Sequence, residues 1–270
     1  EMSIGDWSSD VCSSDLVEPL AERLVDHIPP GVEQQIGEAV LAHTRAAGPM
    51  ITAGPAFDAL QAIGKRLARP GEVLHFHLAA RPEINAFAAP GGIVVVHSAL
   101  LASAGSAEEV AGVLAHEIGH VTQNHLARQI AKSKQNTIPS MIAMAVGILA
   151  ARSNSDIAAA TITSAQASVV QAQLAYTRDY EREADRLGYQ TIEKAGLDVR
   201  GMGDFFERLQ KAGRLYENNA PVYLRSHPLT LERISDMQNR AQLAPYRQVI
   251  SDLDFHLVRA KLRAQMGTAR

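Results

Sequence analysis

The sequence predicts an α+β fold that is mostly helical, with one small antiparallel sheet set among the helices. Three observations predict it. Alanine is abundant while aromatics make up only 5% of 270 residues, a composition that favours helix. Apolar residues recur at helical spacing along most of the chain, as in Val110, Val113, Leu114, Ile118 and Val121. That period gives way to alternation between Val73 and His97. The chain is 46% hydrophobic and 20% charged, an ordinary globular balance with length enough for a sizeable core.

Residues 1–16 read differently from the rest. They carry Glu1, Asp6, Asp10 and Asp15 without a Lys or Arg, and hold the only Trp and the only Cys. The stretch resembles translated sequencing-adapter sequence and is set aside as non-native. Removing its four acids moves the formal charge from −3 to about +1. Neither value gives the basic excess that nucleic-acid binding calls for. The lone Cys12 excludes an internal disulfide and a Cys-rich metal site. Ser8-Ser9-Asp10-Val11 before it lacks the apolar run of a lipoprotein signal, and no signal-peptide pattern is visible.

The elements follow in order. A helix over Val17 to Ile28 ends at Pro29-Pro30, and a second over Val32 to Ala47 ends at Gly48-Pro49. A third, Pro55 to Ala68, has Pro in its first turn and stops at Pro70-Gly71. In Val73 to Leu78, Leu74, Phe76 and Leu78 share one face while His75 and His77 share the other. Ile84 to Ala88 and Ile93 to His97 follow, joined by Pro90-Gly91-Gly92, which gives three antiparallel strands. A long helix is expected from Glu108 to about Lys132. The apolar run Ile138 to Ala151 has 14 residues, where a membrane-spanning helix needs roughly 20. It predicts a buried helix or a lid, with peripheral membrane contact through 138–151 left open. A further long helix runs from Ile157 to Lys194 and stops at Gly196; a shorter one covers Met202 to Lys211. Pro221 to His227 reads as a loop, Pro228 to Ala241 as a helix, and Tyr246 to Met266 as an amphipathic segment.

His116-Glu117-Ile118-Gly119-His120 is an HExxH motif within a predicted helix. Four residues turn a helix through about 400°, so the two histidines lie within about 40° of each other and can meet one metal ion. Glu117 can reach a water on that ion without being a ligand. By chance alone the motif occurs in a chain of this length on the order of 1% of the time. A catalytic zinc usually takes a third protein ligand. His125 lies nine residues after His116, about 900° of rotation, and points away if the helix continues, as a surface histidine would. In Tyr180 to Arg186, Glu181 and Asp185 are four apart and share one helix face, whereas Glu183 is about 200° from Glu181. One carboxylate can then ligate and the other hold a ligating histidine by its far ring nitrogen. Arg178, Arg182 and Arg186 also allow an ordinary charged surface here. His75 and His77 could bind metal, but no third ligand is near them in sequence.

HEIGHVTQNHLAR (His116 to Arg128), followed by EREADRLG (Glu181 to Gly188), resembles the M48 peptidase family. INAFAAPGG (Ile84 to Gly92) and SHPLTLERISDM (Ser226 to Met237) resemble segments of its soluble periplasmic branch, which tends outer-membrane protein assembly. The resemblance implies a zincin-like metallopeptidase domain with the sheet beside the HExxH helix. It implies one zinc ion per chain, held by His116, His120 and Glu181, with Glu117 as base and Asp185 behind a ligand. It places His227 near the metal, where in relatives the equivalent histidine can become a fourth ligand in a self-inhibited state. Arg233 is expected to order this loop or bind substrate, and Asn85, Ala86 and Phe87 to pair with an extended peptide. Some relatives continue into helical repeats, so 17–245 is expected as the catalytic domain and 246–270 as the start of an array. The implied function is an endopeptidase for unfolded or misassembled, outer-membrane proteins in the periplasm, with assembly machinery as a partner. Two rivals stand beside it: an assembly chaperone that rarely cuts, and a membrane-bound prenyl-processing protease, against which the short apolar run argues.

Overall fold

The computed structural model describes residues 30–126, 128, 178–215, 221–245 and 253–267. The helix expected over Val17 to Ile28, the apolar run at 138–151 and the first part of the helix expected from Ile157 lie outside them. In the described residues the order is α1 (Pro30–Ala46), β1 (Met50–Ile51), α2 (Pro55–Leu67), β2 (His75–Ala79), β3 (Ala86–Ala89), β4 (Ile93–His97), α3 (Ser98–Ser103) and α4 (Ala107–Thr122). Then come α5 (Arg178–Lys194), α6 (Arg200–Leu215), α7 (Val222–Ser226), α8 (Leu231–Leu243) and α9 (Leu253–Gln265). The mostly helical α+β class is as the sequence predicts. No helix of the described residues is long and apolar enough to cross a membrane.

The sheet has four strands in the order β1-β2-β4-β3 and is mixed where antiparallel pairing was expected. The β3–β4 hairpin forms as predicted, its turn using positive φ at Gly91 (76°) and Gly92 (75°), which glycine adopts without strain. Strand β2 pairs parallel with β4, from His75↔Ile93 to Ala79↔His97. The reason lies in β4 itself. Ile93, Val94, Val95 and Val96 are all buried, with Val94 and Val96 in the main core and Ile93 and Val95 in a smaller cluster on the opposite face. A strand apolar on both faces belongs in the middle of a sheet, and β4 takes that place. The Ser98 hydroxyl accepts from Arg81 N (3.1 Å) and donates to Arg81 O (3.0 Å), fixing the chain where it leaves β2. Strand β1, two residues long, is too short to show a period.

The sheet lies between two helical layers. Leu41 of α1 packs on one face with Ala79, Ala89, Ile93 and Val95. Phe76, Leu78, Val94 and Val96 meet α2 and α4 on the other. Helix α4 is buried from Glu109 to His120, as a central helix must be. It starts at Ser106, whose side chain accepts from Glu109 N. Arg208 of α6 grips Glu109 with two hydrogen bonds, 2.8 and 2.7 Å. Helix α9, in the segment expected to open a repeat array, buries Phe255, Val258 and Leu262 in the main core.

Three glycines let the helices close on α4. A Cβ on Gly119 would come within 3.1 Å of the Ala184 backbone, and one on Gly188 within 3.0 Å of His116 N. A Cβ on Gly112 would meet Met202 Cα at 2.7 Å. Gly112→Ala gains helix propensity of about 1 kcal/mol but forces α6 backbone away. The net expectation is a loss of about 1–3 kcal/mol, read as a lower urea midpoint at unchanged slope.

Candidate metal centre

Helices α4 and α5 cross where the glycines thin them, and the crossing brings His116 and His120 against Glu181. Across α4, His116 Nε2 and His120 Nε2 are 2.9 Å apart, the convergence that an i, i+4 pair allows. Glu181 Oε2 is 3.5 Å from His116 Nε2, and Oε1 is 3.4 Å from His120 Nε2. Helix α7 ends at His227, whose Nδ1 is 3.1 Å from Glu181 Oε1 and 3.3 Å from His116 Nε2. Ligand atoms of these four residues all lie within 4.8 Å of one another, and all four residues are buried. Two imidazole nitrogens, a carboxylate and a further imidazole, facing inward with water excluded, form a donor set fitted to a metal ion.

Glu117 faces the same space. It is fully buried, its Oε1 is 3.5 Å from His227 Nε2, and neither carboxylate oxygen has a hydrogen-bond partner among the described residues. Burial raises its pKa. The Tyr223 hydroxyl is also buried without a partner among the described residues, and the His227 ring stacks on the Tyr223 ring at 4.5 Å. Buried polar atoms left this way call for an explanation, and beside this donor set a catalytic role or a bound ion is one.

The carboxylates are held by Arg233 of α8. Thr230, the N-cap of α8, accepts from Arg233 N (3.2 Å) and sets the start of the helix. Arg233 donates Nε to Asp185 Oδ2 (2.7 Å), Nη2 to Asp185 Oδ1 (2.8 Å) and Nη1 to Pro228 O (2.8 Å), and Nη1 is 2.8 Å from Glu181 Oε2. It is 4% exposed. Its guanidinium is committed inside the protein, with a bond to Pro228 O on the loop that the sequence expected it either to order or to leave for contact with substrate. Asp185 Oδ1 lies 2.9 Å from His116 Nδ1. Burial opposes ionisation of Asp185, but Arg233 and then His116 hold its pKa below the usual range. Burial likewise opposes charge on His116, yet hydrogen bonding to Asp185 and Glu181 raises its pKa to about 10. His120 goes the other way, because burial outweighs its partners and keeps it neutral.

His125 is where sequence reasoning failed. The helix expected to reach Lys132 stops at Thr122, and Asn124 takes a left-handed φ of 49°. Asn adopts that region more readily than most residues. The break turns His125 back toward the site, where it is fully buried with Nδ1 2.8 Å from His120 Nδ1. Glu183, expected to point elsewhere, is 3.2 Å from His125 Nε2. The signal was Asn124 itself, a helix-terminating residue just past the motif. The loop expected at Pro221 to His227 contains the single-turn α7, and α8 begins at Leu231 in place of Pro228. Asn85, Ala86 and Phe87 contribute no atom to the metal cluster. Ala86 is fully buried, and Phe87 is half-buried with its ring edge-on to His97 at 6.4 Å.

With this geometry in place, the comparison with known proteins is decisive. The sequence model of peptidase family M48 matches residues 56–241, a stretch that contains every residue of the cluster. The chain belongs to peptidase family M48. It is 35% identical over 245 residues to the beta-barrel assembly-enhancing protease of Escherichia coli (strain K12), covering 89% of this chain and 50% of that protein. The protein of the same name from Yersinia pestis is 31% identical over 239 residues, covering 87% and 49%. Metalloprotease YcaL of Escherichia coli (strain K12) is 30% identical over 190 residues, covering 66% and 69%. The chain spans about half the length of the beta-barrel assembly-enhancing proteases it matches.

The M48 cluster yields a direct stability test. Arg233→Leu leaves Asp185 and Glu181 buried without their cation. It is expected to cost about 3–5 kcal/mol, measured by chemical denaturation.

Proposed function

We propose that the chain is a zinc-dependent endopeptidase. The observation that carries this reading is the convergence of His116, His120 and Glu181 beside the fully buried carboxylate of Glu117. Their donor separations of 2.9 to 3.5 Å bracket the value of about 3.3 Å that a tetrahedral ion with bonds of roughly 2.0–2.1 Å requires. Zinc bound there would polarise the scissile carbonyl and lower the pKa of a water to about 7. Glu117 takes a proton from the attacking water and delivers it to the leaving amine. Its raised pKa brings it toward the range where it can do both. The developing oxyanion needs a donor. His227 is the candidate, with Tyr223 in reserve beside it.

His227 has a second role in this reading. A catalytic site keeps one position open, and Nδ1 of His227 lies among the other donor atoms. In that position it closes the site, and its departure opens it. Strand β3 is the sheet edge beyond β4, so its outer backbone groups can pair with an extended peptide. Ala86 is buried, so contact there is through backbone, which suits unfolded substrates of varied sequence. A groove of about 800 Å³ runs past Ala88, Ala89 and Pro90 to His120 and gives such a peptide a path.

The similarity to proteins named beta-barrel assembly-enhancing protease supports a narrower version. In it the substrates are unfolded or misassembled outer-membrane proteins, the compartment is the periplasm and assembly machinery is a partner. A chaperone role fits alongside cleavage. A factor that only binds clients gives no reason to bury the Glu117 carboxylate beside the cluster, since taking a carboxylate out of water costs stability.

Glu117→Gln is expected to retain zinc and to lose at least about 10²–10⁴-fold in casein cleavage. Cleavage at the wild-type rate by a clean preparation would sink the assignment of the base. His227→Ala is expected to retain zinc while the rate changes. A rise reports the gate and a fall reports the oxyanion donor; an unaltered rate removes both roles.

A further inference from the structure

The two histidines of the HExxH motif are steadied by different devices. Behind His116 stands Asp185, fixed by Arg233. Behind His120 stands a chain of three groups. His120 Nδ1 is 2.8 Å from His125 Nδ1, His125 Nε2 is 3.2 Å from Glu183 Oε2, and Arg128 Nη1 donates to Glu183 Oε2 at 2.8 Å. The His125 ring stacks on Tyr180 at 4.7 Å, with 22° between the planes. Tyr180 precedes Glu181 on α5, so the same helix that offers the carboxylate to the cluster also braces His125. The Arg128 guanidinium covers the Tyr180 ring at 4.9 Å.

Proton positions follow from the donor and acceptor rules. His120 can present a lone pair at Nε2 only if Nδ1 carries the proton. That N–H then donates to His125 Nδ1, which must be the bare nitrogen. His125 is thereby the Nε2–H tautomer, and its proton points at the Glu183 carboxylate. Each step has one donor and one acceptor, and no group is asked to carry an added charge.

We propose that His125 and Glu183 are positioning residues that lock His120 in the tautomer and orientation metal binding needs, through an imidazole-to-imidazole relay ending on a carboxylate. The inference rests on His120 being a metal ligand, as proposed above. It also makes the chain just after α4 part of the metal site. The left-handed turn at Asn124 is what returns His125 to His120. The inner end of the relay is buried, while the side chains of Glu183 and Arg128 are 25% and 36% exposed.

The test is metal binding by the chelator-stripped full chain, titrated with Zn²⁺ against a chromophoric competitor and with Co²⁺ by its visible spectrum. His125→Leu is expected to lose about 10–100-fold in affinity for both ions, the usual effect of removing such a partner. The Co²⁺ bands should shift as His120 loses its orientation. His125→Asn places an amide oxygen where Nδ1 was and should recover most of the affinity. Glu183→Gln, at a partly exposed site, should fall between wild type and His125→Leu. Wild-type affinity and spectrum in His125→Leu would overturn the inference, as would equal losses in the Leu and Asn variants. If His125→Leu does not fold, unchanged binding by Glu183→Gln overturns it. Failure of the wild-type chain to take up either ion would overturn the metal reading itself, and the relay with it.

Discussion

The centre of this protein depends on one electrostatic constraint: three buried carboxylates, Glu117, Glu181 and Asp185, share a small volume with the guanidinium of Arg233, alone there among the described residues. Ionised carboxylates out of water are costly unless paired. Arg233 forks onto Asp185 and reaches Glu181, which ties α8 to α5. Asp185 and Glu181 in turn hold the imidazoles of α4. Arg233 brings one positive charge to three carboxylates, of which Glu117 is pushed by burial toward its neutral form. In the proposed reading a divalent cation held by His116, His120 and Glu181 would supply the missing charge, in competition with protonation of His116. Metal uptake at the proposed site would then displace a proton and link stability to loading through the same few groups.

Steric thinness is what permits that electrostatics. Glu181 reaches the histidines because Gly119 lies against the Ala184 backbone and Gly188 lies against His116 N. These glycines occur inside the two motifs themselves, HEIGH and EREADRLG. The motifs thus specify the helix crossing as well as the ligands. A ligand set at the same spacing on helices held a methyl group further apart would not converge.

The parts of the site legible in the sequence are those set by helical period. His116 with His120, and Glu181 with Asp185, are i, i+4 pairs, and each pair stays on one face whatever the tertiary context. The β3–β4 hairpin was legible for a similar local reason, the glycines of its turn. What was not legible depends on where a period ends or on contacts distant in sequence. His125 was misjudged because extrapolating α4 past Thr122 ignored Asn124. The parallel pairing of β2 with β4 follows from β4 being buried on both faces, a property its Ile-Val-Val-Val run carried but that three-strand alternation concealed. Arg233 was seen as a loop or substrate residue because nothing in sequence joins position 233 to position 185. Helix α7 is a single turn, shorter than any periodic signal.

The proposed gate has a mechanical basis in how α7 is tethered. His227 ends that turn, stacked on Tyr223, and Tyr223 N donates to Ile84 O at 3.1 Å. Ile84 immediately precedes Asn85, whose carbonyl accepts from His97 N at the start of the β3 ladder. The segment that carries the fourth donor is therefore hydrogen-bonded to the lead-in of the strand proposed to receive substrate. His116, Glu117 and His227 are fully buried, so a peptide cannot reach Glu117 unless something yields. Helix α4 cannot yield without breaking the core, and α5 is pinned by Arg233. Helix α7 is the shortest of the helices that contribute to the cluster, at five residues. In the proposed reading, a peptide strand that pairs with β3 and shifts its lead-in would pull on Tyr223, and with it on His227. Substrate binding and site opening are then two ends of one backbone connection.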